Sequence, residues 1–339
     1  MGKKHINIPI FIPHLGCPNA CVFCNQHTIS GHGEFEISNV ENEIDEALAT
    51  VGDDVDAEIA FFGGSFTGIE RSLMISLLEL AQRYVESGRV QSIRLSTRPD
   101  YIDEEIISIL SSYSVRTVEL GLQSLDDGVL CASRRGHDSA CAERACRMLK
   151  DAGFELIGQM MIGLPLSDAK KEIATARRIC ELGADGARVY PTVVFAGTEL
   201  LAMLESGVYS ALEVEEAVQR TKNVLRVFDE AGVPCIRVGL CASENLRDAS
   251  VAVAGATHAA IGEMAMSALY LERICEELDR RKIGGGGVTV FVARGAVSKA
   301  VGQKRVNKLK ICEKYGLEWV KVLEKNEIIG YNIIIEHTI

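Results

Sequence analysis

No stretch of this 339-residue sequence reaches eighteen consecutive apolar residues, so no membrane-spanning helix is expected. The N-terminal run MGKKHINIPIFIPHLG lacks a small-residue cleavage site and is interrupted by Pro9 and Pro13. It reads as a first barrel strand rather than a signal peptide, and a cytoplasmic location is expected. Long repeats and a low-complexity tail are absent. Basic charge is in deficit, with 36 Lys and Arg against 47 Asp and Glu, a net charge of −11. That balance argues against wholesale binding to nucleic acid and leaves only a local basic patch open. A second C-x2-C pair is also lacking. The odd count of 11 cysteines fits poorly with a closed disulfide set and better with metal or redox chemistry in a reducing compartment.

What is present alternates short apolar runs with longer amphipathic ones. Strands are predicted at Ile6–Ile12, Glu58–Phe62, Ser92–Thr97, Thr117–Gly121, Leu156–Ile162 and Gly186–Val189. Helical patterns lie between them, at Asn39–Val51, Arg71–Ser87, Glu104–Ser111, Ser139–Ala152 and Asp168–Leu182. Repeated strand–helix units imply a parallel sheet with right-handed crossovers. Six units by Tyr190 predict an α/β fold, a partial (β/α)6 TIM-like barrel over residues 1–200. The chemistry is then expected at the C-terminal ends of the strands. Residues 201–283 read as a mostly helical extension. After the Gly284–Gly287 run, residues 284–339 read as a small C-terminal α/β addition.

The strongest local signal is Cys17-Pro-Asn-Ala-Cys21-Val-Phe-Cys24, in the loop after the first strand. Three thiolates can hold three irons of a 4Fe–4S cubane and leave the fourth iron open. The open iron can chelate the amino and carboxylate groups of S-adenosylmethionine (SAM) for reductive cleavage of its C–S bond. Phe23 is placed to pack against the adenine. The competing reading is a zinc site with His14 or His27 as fourth ligand, which ordinarily needs a second paired knuckle. A second signal, Phe61-Phe62-Gly63-Gly64-Ser65-Phe66, follows the second strand. Gly63 and Gly64 let backbone approach a ligand closely, and with Ser65 they are candidate contacts to the methionine end of SAM.

These motifs resemble those of the radical SAM superfamily. More closely, the chain resembles the radical SAM domain of the Elongator catalytic subunit, and more distantly oxygen-independent coproporphyrinogen oxidase. The resemblance runs through most of residues 5–200. It is carried by FGGSF (62–66), TRPDY (97–101), VELGLQS (118–124), RGH (135–137), DAGF (151–154), MMIGLP (160–165) and YPTV (190–193). It implies a 4Fe–4S cluster on Cys17, Cys21 and Cys24, and SAM contacts from Gln123 and Arg135. It further implies a ribose contact at Gln159, an adenine neighbourhood at Ile162–Leu164 and an anion contact at Arg188. An electron donor such as ferredoxin or flavodoxin is implied as partner.

The sequence also departs from the family. Where relatives offer a glutamate, Ser96 stands. Arg188 replaces a lysine and brings a planar fork. No acetyltransferase-like segment is present, so Elongator's modification of wobble uridine is not expected to carry over whole. Of the cysteines outside the motif, most are expected to be small buried hydrophobes. Cys235 and Cys241 are candidates for supplying a hydrogen atom to a substrate radical, and Tyr190 for touching substrate. Lys299, Lys304, Arg305, Lys308 and Lys310 form a basic segment, expected to be helical; a solvated helix face is the default reading and a phosphate track the sharper one. RNA is therefore the leading substrate class. The alternatives are a small metabolite or porphyrin-like carboxylate, and a non-catalytic iron–sulfur protein.

Overall fold

Acidic side chains punctuate the helices. The side chains of Glu70, Asp103, Asp126, Asp138 and Asp168 each accept hydrogen bonds from backbone amides of the first helical turn that follows. The computed structural model describes residues 4–12, 16–17, 21–24, 35–52, 55–240 and 248–338. Their order is β1 (Lys4–Phe11), α1 (Ile37–Ala49), β2 (Val55–Phe62), α2 (Arg71–Glu86), β3 (Ser92–Thr97), α3 (Glu104–Ser111), β4 (Val115–Gln123), α4 (Asp127–Ala132), α5 (Ser139–Asp151), β5 (Glu155–Ile162), α6 (Ala169–Glu181) and β6 (Gly186–Pro191). There follow β7 (Val193–Phe195), α7 (Glu199–Glu205), α8 (Val214–Glu230), β8 (Cys235–Val238), β9 (Ala252–Gly255) and α9 (Ile261–Arg281). The chain closes with β10 (Gly287–Val292), α10 (Val297–Val301), α11 (Val306–Tyr315), β11 (Trp319–Glu324) and β12 (Ile334–Thr338).

Strands β1–β6 and β8 form one curled parallel sheet in the order β1-β2-β3-β4-β5-β6-β8. Among the described residues its two edge strands, β1 and β8, do not pair with each other, so it is a half-barrel. The expected partial barrel is present, with one strand more than six. The extra strand, Cys235–Val238, pairs in parallel with β6 at the sheet edge. Four residues with no long apolar run give no strand signal by composition, which is why this stretch reads as helical. A further ribbon, β7 with β9, is antiparallel.

The outer face of the sheet carries Ile59, Phe61, Leu95, Leu120 and Leu156, packed under the helices in one core. The inner face is different. Glu58, Arg94 and Glu119 are buried there, yet they are polar. A second core, with Val288, Val290, Val320 and Ile335, joins β10, β11 and β12 to α9 and α11 as the C-terminal α/β region. No helix among the described residues is long and apolar enough to cross a membrane.

The basic segment is not one helix. Lys304 (φ 51°) and Arg305 (φ 64°) both lie in the left-handed region, between α10 and α11. Gly302 (φ 75°) ends α10, and an added Cβ there would sit 2.9 Å from Val306. Helical spacing of Lys304, Arg305 and Lys308 therefore fails, because the helix starts only at Val306.

Candidate active site at the mouth of the half-barrel

The cysteine loop is pinned from several sides. Gly16 precedes Cys17 with φ +78°, and a Cβ there would lie 2.4 Å from the Ser65 carbonyl oxygen and 2.6 Å from the Gly68 carbonyl carbon. Only glycine lets this backbone rest on the FGGSF turn. The Val22 amide donates to the Ser133 carbonyl at 3.3 Å, and the Val22 carbonyl accepts from Leu200 at 2.8 Å. The Cys24 amide closes the loop on the Cys21 carbonyl at 3.0 Å. Phe23 packs beside Val22, Val194, Leu200 and Tyr209.

Around the thiols the chemistry is cationic. Arg135 Nη1 donates to Cys21 Sγ at 3.3 Å, and its Nη2 to the Gly121 carbonyl at 2.6 Å. Arg98 Nη1 lies 3.9 Å from the same sulfur. Burial pushes the Cys17 thiol up, against the pull of Arg98. Among the described residues, no group of three His, Cys, Asp or Glu side chains converges tightly enough to hold a metal ion. The donor set nevertheless suits an iron–sulfur cluster. Three thiols lie within eight residues, and the described cysteines form no disulfide. The surroundings suit SAM as well. Gln123 Oε1 and Arg135 Nε are buried polar atoms with no partner among the described residues. Gln123 (φ 66°) sits where the register between β4 and β5 shifts, beside Gly121, whose Cβ would come within 3.1 Å of Gln123 Nε2.

Two residues of equal charge separate here. Arg134 is exposed and paired with Glu199 at 2.6 Å, whereas Arg135 is only 5% exposed and faces Cys21. His137 follows; burial first, then Arg135, pushes its pKa down to about 4. Ser65 Oγ accepts from the Arg98 amide at 3.1 Å. Gly63 takes φ +96°.

Deeper in the half-barrel a chain of charges crosses the inner face. Arg94 bridges Glu58 at 3.0 Å and Glu119 at 3.0 Å. Glu119 also accepts from Arg188 at 2.7 Å and from Gln159 at 2.9 Å. Arg188 reaches Tyr190 Oη at 3.3 Å and lies over the Phe62 ring at 5.4 Å. Burial raises the Tyr190 phenol. Glu119 is the residue that reading the sequence missed. It lies inside the VELGLQS segment and pairs in register with Ser96, so a carboxylate stands one strand away from the position where the resemblance implies one. Glu172 is a second. It accepts from the Gly163 amide at 2.8 Å while Tyr209 donates to the Gly163 carbonyl at 2.8 Å, which fixes the IGLP turn.

The other candidates lie apart from this site. Cys235 opens β8, in register with the core residue Ala187, and packs with Leu225, Leu269 and Tyr331 on the outer, helix-covered face. Burial pushes its thiol up to about 12. Cys241 lies outside the described residues. Of the remaining cysteines Cys146 alone is fully buried, Cys131 is exposed, and Cys141, Cys180, Cys275 and Cys312 are intermediate. Lys304, Arg305 and Lys310 are exposed, and Lys299 and Lys308 half-buried.

Comparison with known proteins agrees with this geometry. Residues 11–176 match the Radical SAM superfamily and residues 184–273 the Radical SAM C-terminal domain. Protein YhcC of Escherichia coli K12 is 24% identical over 222 residues, covering 62% of this chain and 71% of that protein. The tRNA uridine(34) acetyltransferase of Methanocaldococcus jannaschii is 33% identical over 149 residues, 42% of this chain and 28% of its own length. Elongator complex protein 3 of Drosophila melanogaster is 29% identical over 212 residues, 60% of this chain and 37% of that protein. The chain thus spans well under half of the latter two. Among solved structures, an N-terminally truncated Elp3 of Methanocaldococcus infernus has a TM-score of 0.60 at 20% identity, over 83% of this chain and 64% of that one. With its thiol loop seated on the FGGSF turn of a parallel half-barrel, this chain belongs to the radical SAM superfamily of enzymes and resembles the radical SAM domain of Elongator.

Proposed function

We propose that Cys17, Cys21 and Cys24 hold a 4Fe–4S cluster, that SAM binds between it and the residues Gly63, Gly64, Ser65, Gln123 and Arg135, and that the substrate is RNA. The observation that carries the cofactor reading is the meeting of the cysteine loop, the FGGSF turn and two buried orphan atoms, Gln123 Oε1 and Arg135 Nε, at one mouth. When bound and reduced, the cluster supplies one electron to SAM, yielding methionine and a 5′-deoxyadenosyl radical that takes hydrogen from substrate. The chain's own residues bind and orient. Arg135 offers a cation to the methionine carboxylate, and Gln123 offers an amide that can donate and accept. Glu172 and Tyr209 hold the peptide of Gly163, and with it the apolar wall at Ile162–Leu164. Gln159, tied to Glu119, presents an amide toward the ribose.

RNA is supported by the likeness to the tRNA uridine(34) acetyltransferase and by the exposed cations Lys304, Arg305 and Lys310 on a chain of net charge −11. Titration against total tRNA at two salt concentrations tests it. Each phosphate contact contributes roughly 0.7–0.9 to the log–log salt slope. The variant must respect the backbone, so Lys304→Gly and Arg305→Gly are paired with Lys308→Gln. Loss of roughly two units of slope supports an RNA track. Equal binding and equal slope in both proteins would discard RNA. A small carboxylate metabolite is the second reading, favoured by Arg188, whose buried Nε has no partner among the described residues.

A further inference from the structure

We propose that Arg98 is a positioning residue that sets how readily the cluster is reduced, acting through Cys21 and through the carbonyl of Arg135. The inference rests on the cluster reading above. Arg98 is 4% exposed. Its Nε and Nη2 grip the Asp100 carboxylate at 2.9 and 2.8 Å. Nη2 also donates to the Arg135 carbonyl, and Nη1 points at Cys21 Sγ. Its own amide is held by Ser65 Oγ, and its guanidinium lies 5.9 Å from the Tyr101 ring centre. One side chain therefore touches a cluster thiol and the segment that carries Arg135, while its backbone touches the FGGSF turn. A lysine could not do this, because a point charge cannot hold a carboxylate with two parallel bonds and still donate in two other directions.

The electrostatic consequence follows from placement. Hydrogen bonds and net charge around the sulfurs are among the levers a protein has over cluster potential. A fixed cation near a thiolate in a buried site favours the more negative, reduced state, since burial weakens screening. Asp100 opposes it. Its carboxylate neutralises part of the Arg98 charge, so the two residues pull the potential in opposite directions. Arg135 adds a second cation on the same sulfur at 3.3 Å. His137, nearby, is held neutral by its depressed pKa and adds no charge at neutral pH. A residue that merely braced the loop would move stability and iron content without a sign-dependent effect on potential.

The test is an EPR-monitored redox titration of anaerobically reconstituted wild type, Arg98→Gln, Arg98→Lys and Asp100→Asn. Iron content and circular dichroism are recorded alongside. Arg98→Gln should shift reduction to lower potential, by at least a tenfold fall in the reduction equilibrium, about 59 mV for a one-electron couple. Asp100→Asn should shift it the other way. Arg98→Lys should retain part of the shift and lose stability. If Arg98→Gln cannot assemble a cluster, Asp100→Asn decides. An upward shift there supports the inference, and an unchanged or lower potential overturns it. Wild-type potential in a fully loaded Arg98→Gln protein also overturns it. If wild type itself builds no four-iron cluster, the cofactor reading has failed first, a distinguishable result.

Discussion

Gly16→Ala tests how tightly the cysteine loop is seated. At φ +78° an L-residue is strained by about 1–2 kcal/mol. The new Cβ would in addition meet three backbone atoms, the Ser65 oxygen at 2.4 Å, the Gly68 carbonyl carbon at 2.6 Å and the Ile69 nitrogen at 2.7 Å. None is a flexible side-chain tip, so the strands β1 and β2 must part or the turn must move. Such overpacking costs about 1–3 kcal/mol more. Gly88 provides the control, with φ +74° and nothing within 4 Å of its added Cβ. Gly88→Ala carries the conformational cost alone. Urea denaturation of both variants in the apo state should therefore show Gly16→Ala worse by about 1–3 kcal/mol. After reconstitution, Gly16→Ala should also hold less iron, because Cys17 is displaced, while Gly88→Ala loads normally. Equal destabilisation and equal iron in the two variants would refute the proposed contact between the cysteine loop and the FGGSF turn.

Much of this site was legible in the sequence. The spacing of Cys17, Cys21 and Cys24 after a first strand, and the glycines of FGGSF after a second, were visible because each is a local pattern. The strands β1 to β6 were legible for the same reason, as apolar runs between amphipathic ones. Glu119 was not, since a carboxylate on the inner face of a barrel has no local mark; only the fold brings Arg94, Arg188 and Gln159 onto it. The left-handed turn at Lys304 and Arg305 was hidden because neither residue is glycine, and charge spacing alone resembles a helix. Strand β8 was hidden by its length. Cys235 follows the predicted barrel in sequence, but its partner in register, Ala187, belongs to the outer core.

Three further outcomes are expected. Glu119→Ala leaves Arg94 and Arg188 without their shared carboxylate in a buried site, so equilibrium unfolding should lose about 3–5 kcal/mol, and a loss below ~1 kcal/mol would show the charges are solvated. His137 has a folded pKa near 4, below its ordinary 6.5, so the unfolded chain protonates first and stability should fall as pH drops from about 6.5 to 4. His137→Asn should flatten that fall by about 2 kcal/mol, partial exposure considered, and an unchanged pH profile would contradict a neutral buried ring. Cys146 and Cys235 are both pushed up to about 12 by burial, so the unfolded chain ionises first and stability should decline as pH rises above about 9. In the native protein at pH 8 both thiols should resist iodoacetamide while exposed Cys131 reacts; rapid labelling of Cys235 would place it elsewhere than the outer core.

Product analysis reads out the chemistry at the thiol loop itself. Anaerobically reconstituted protein, incubated with dithionite and SAM, should release 5′-deoxyadenosine and methionine in equal amounts, slowly in the absence of substrate. Cys17→Ala, Cys21→Ala and Cys24→Ala should each release none. Formation of S-adenosylhomocysteine alone, or undiminished 5′-deoxyadenosine from all three variants, would contradict it.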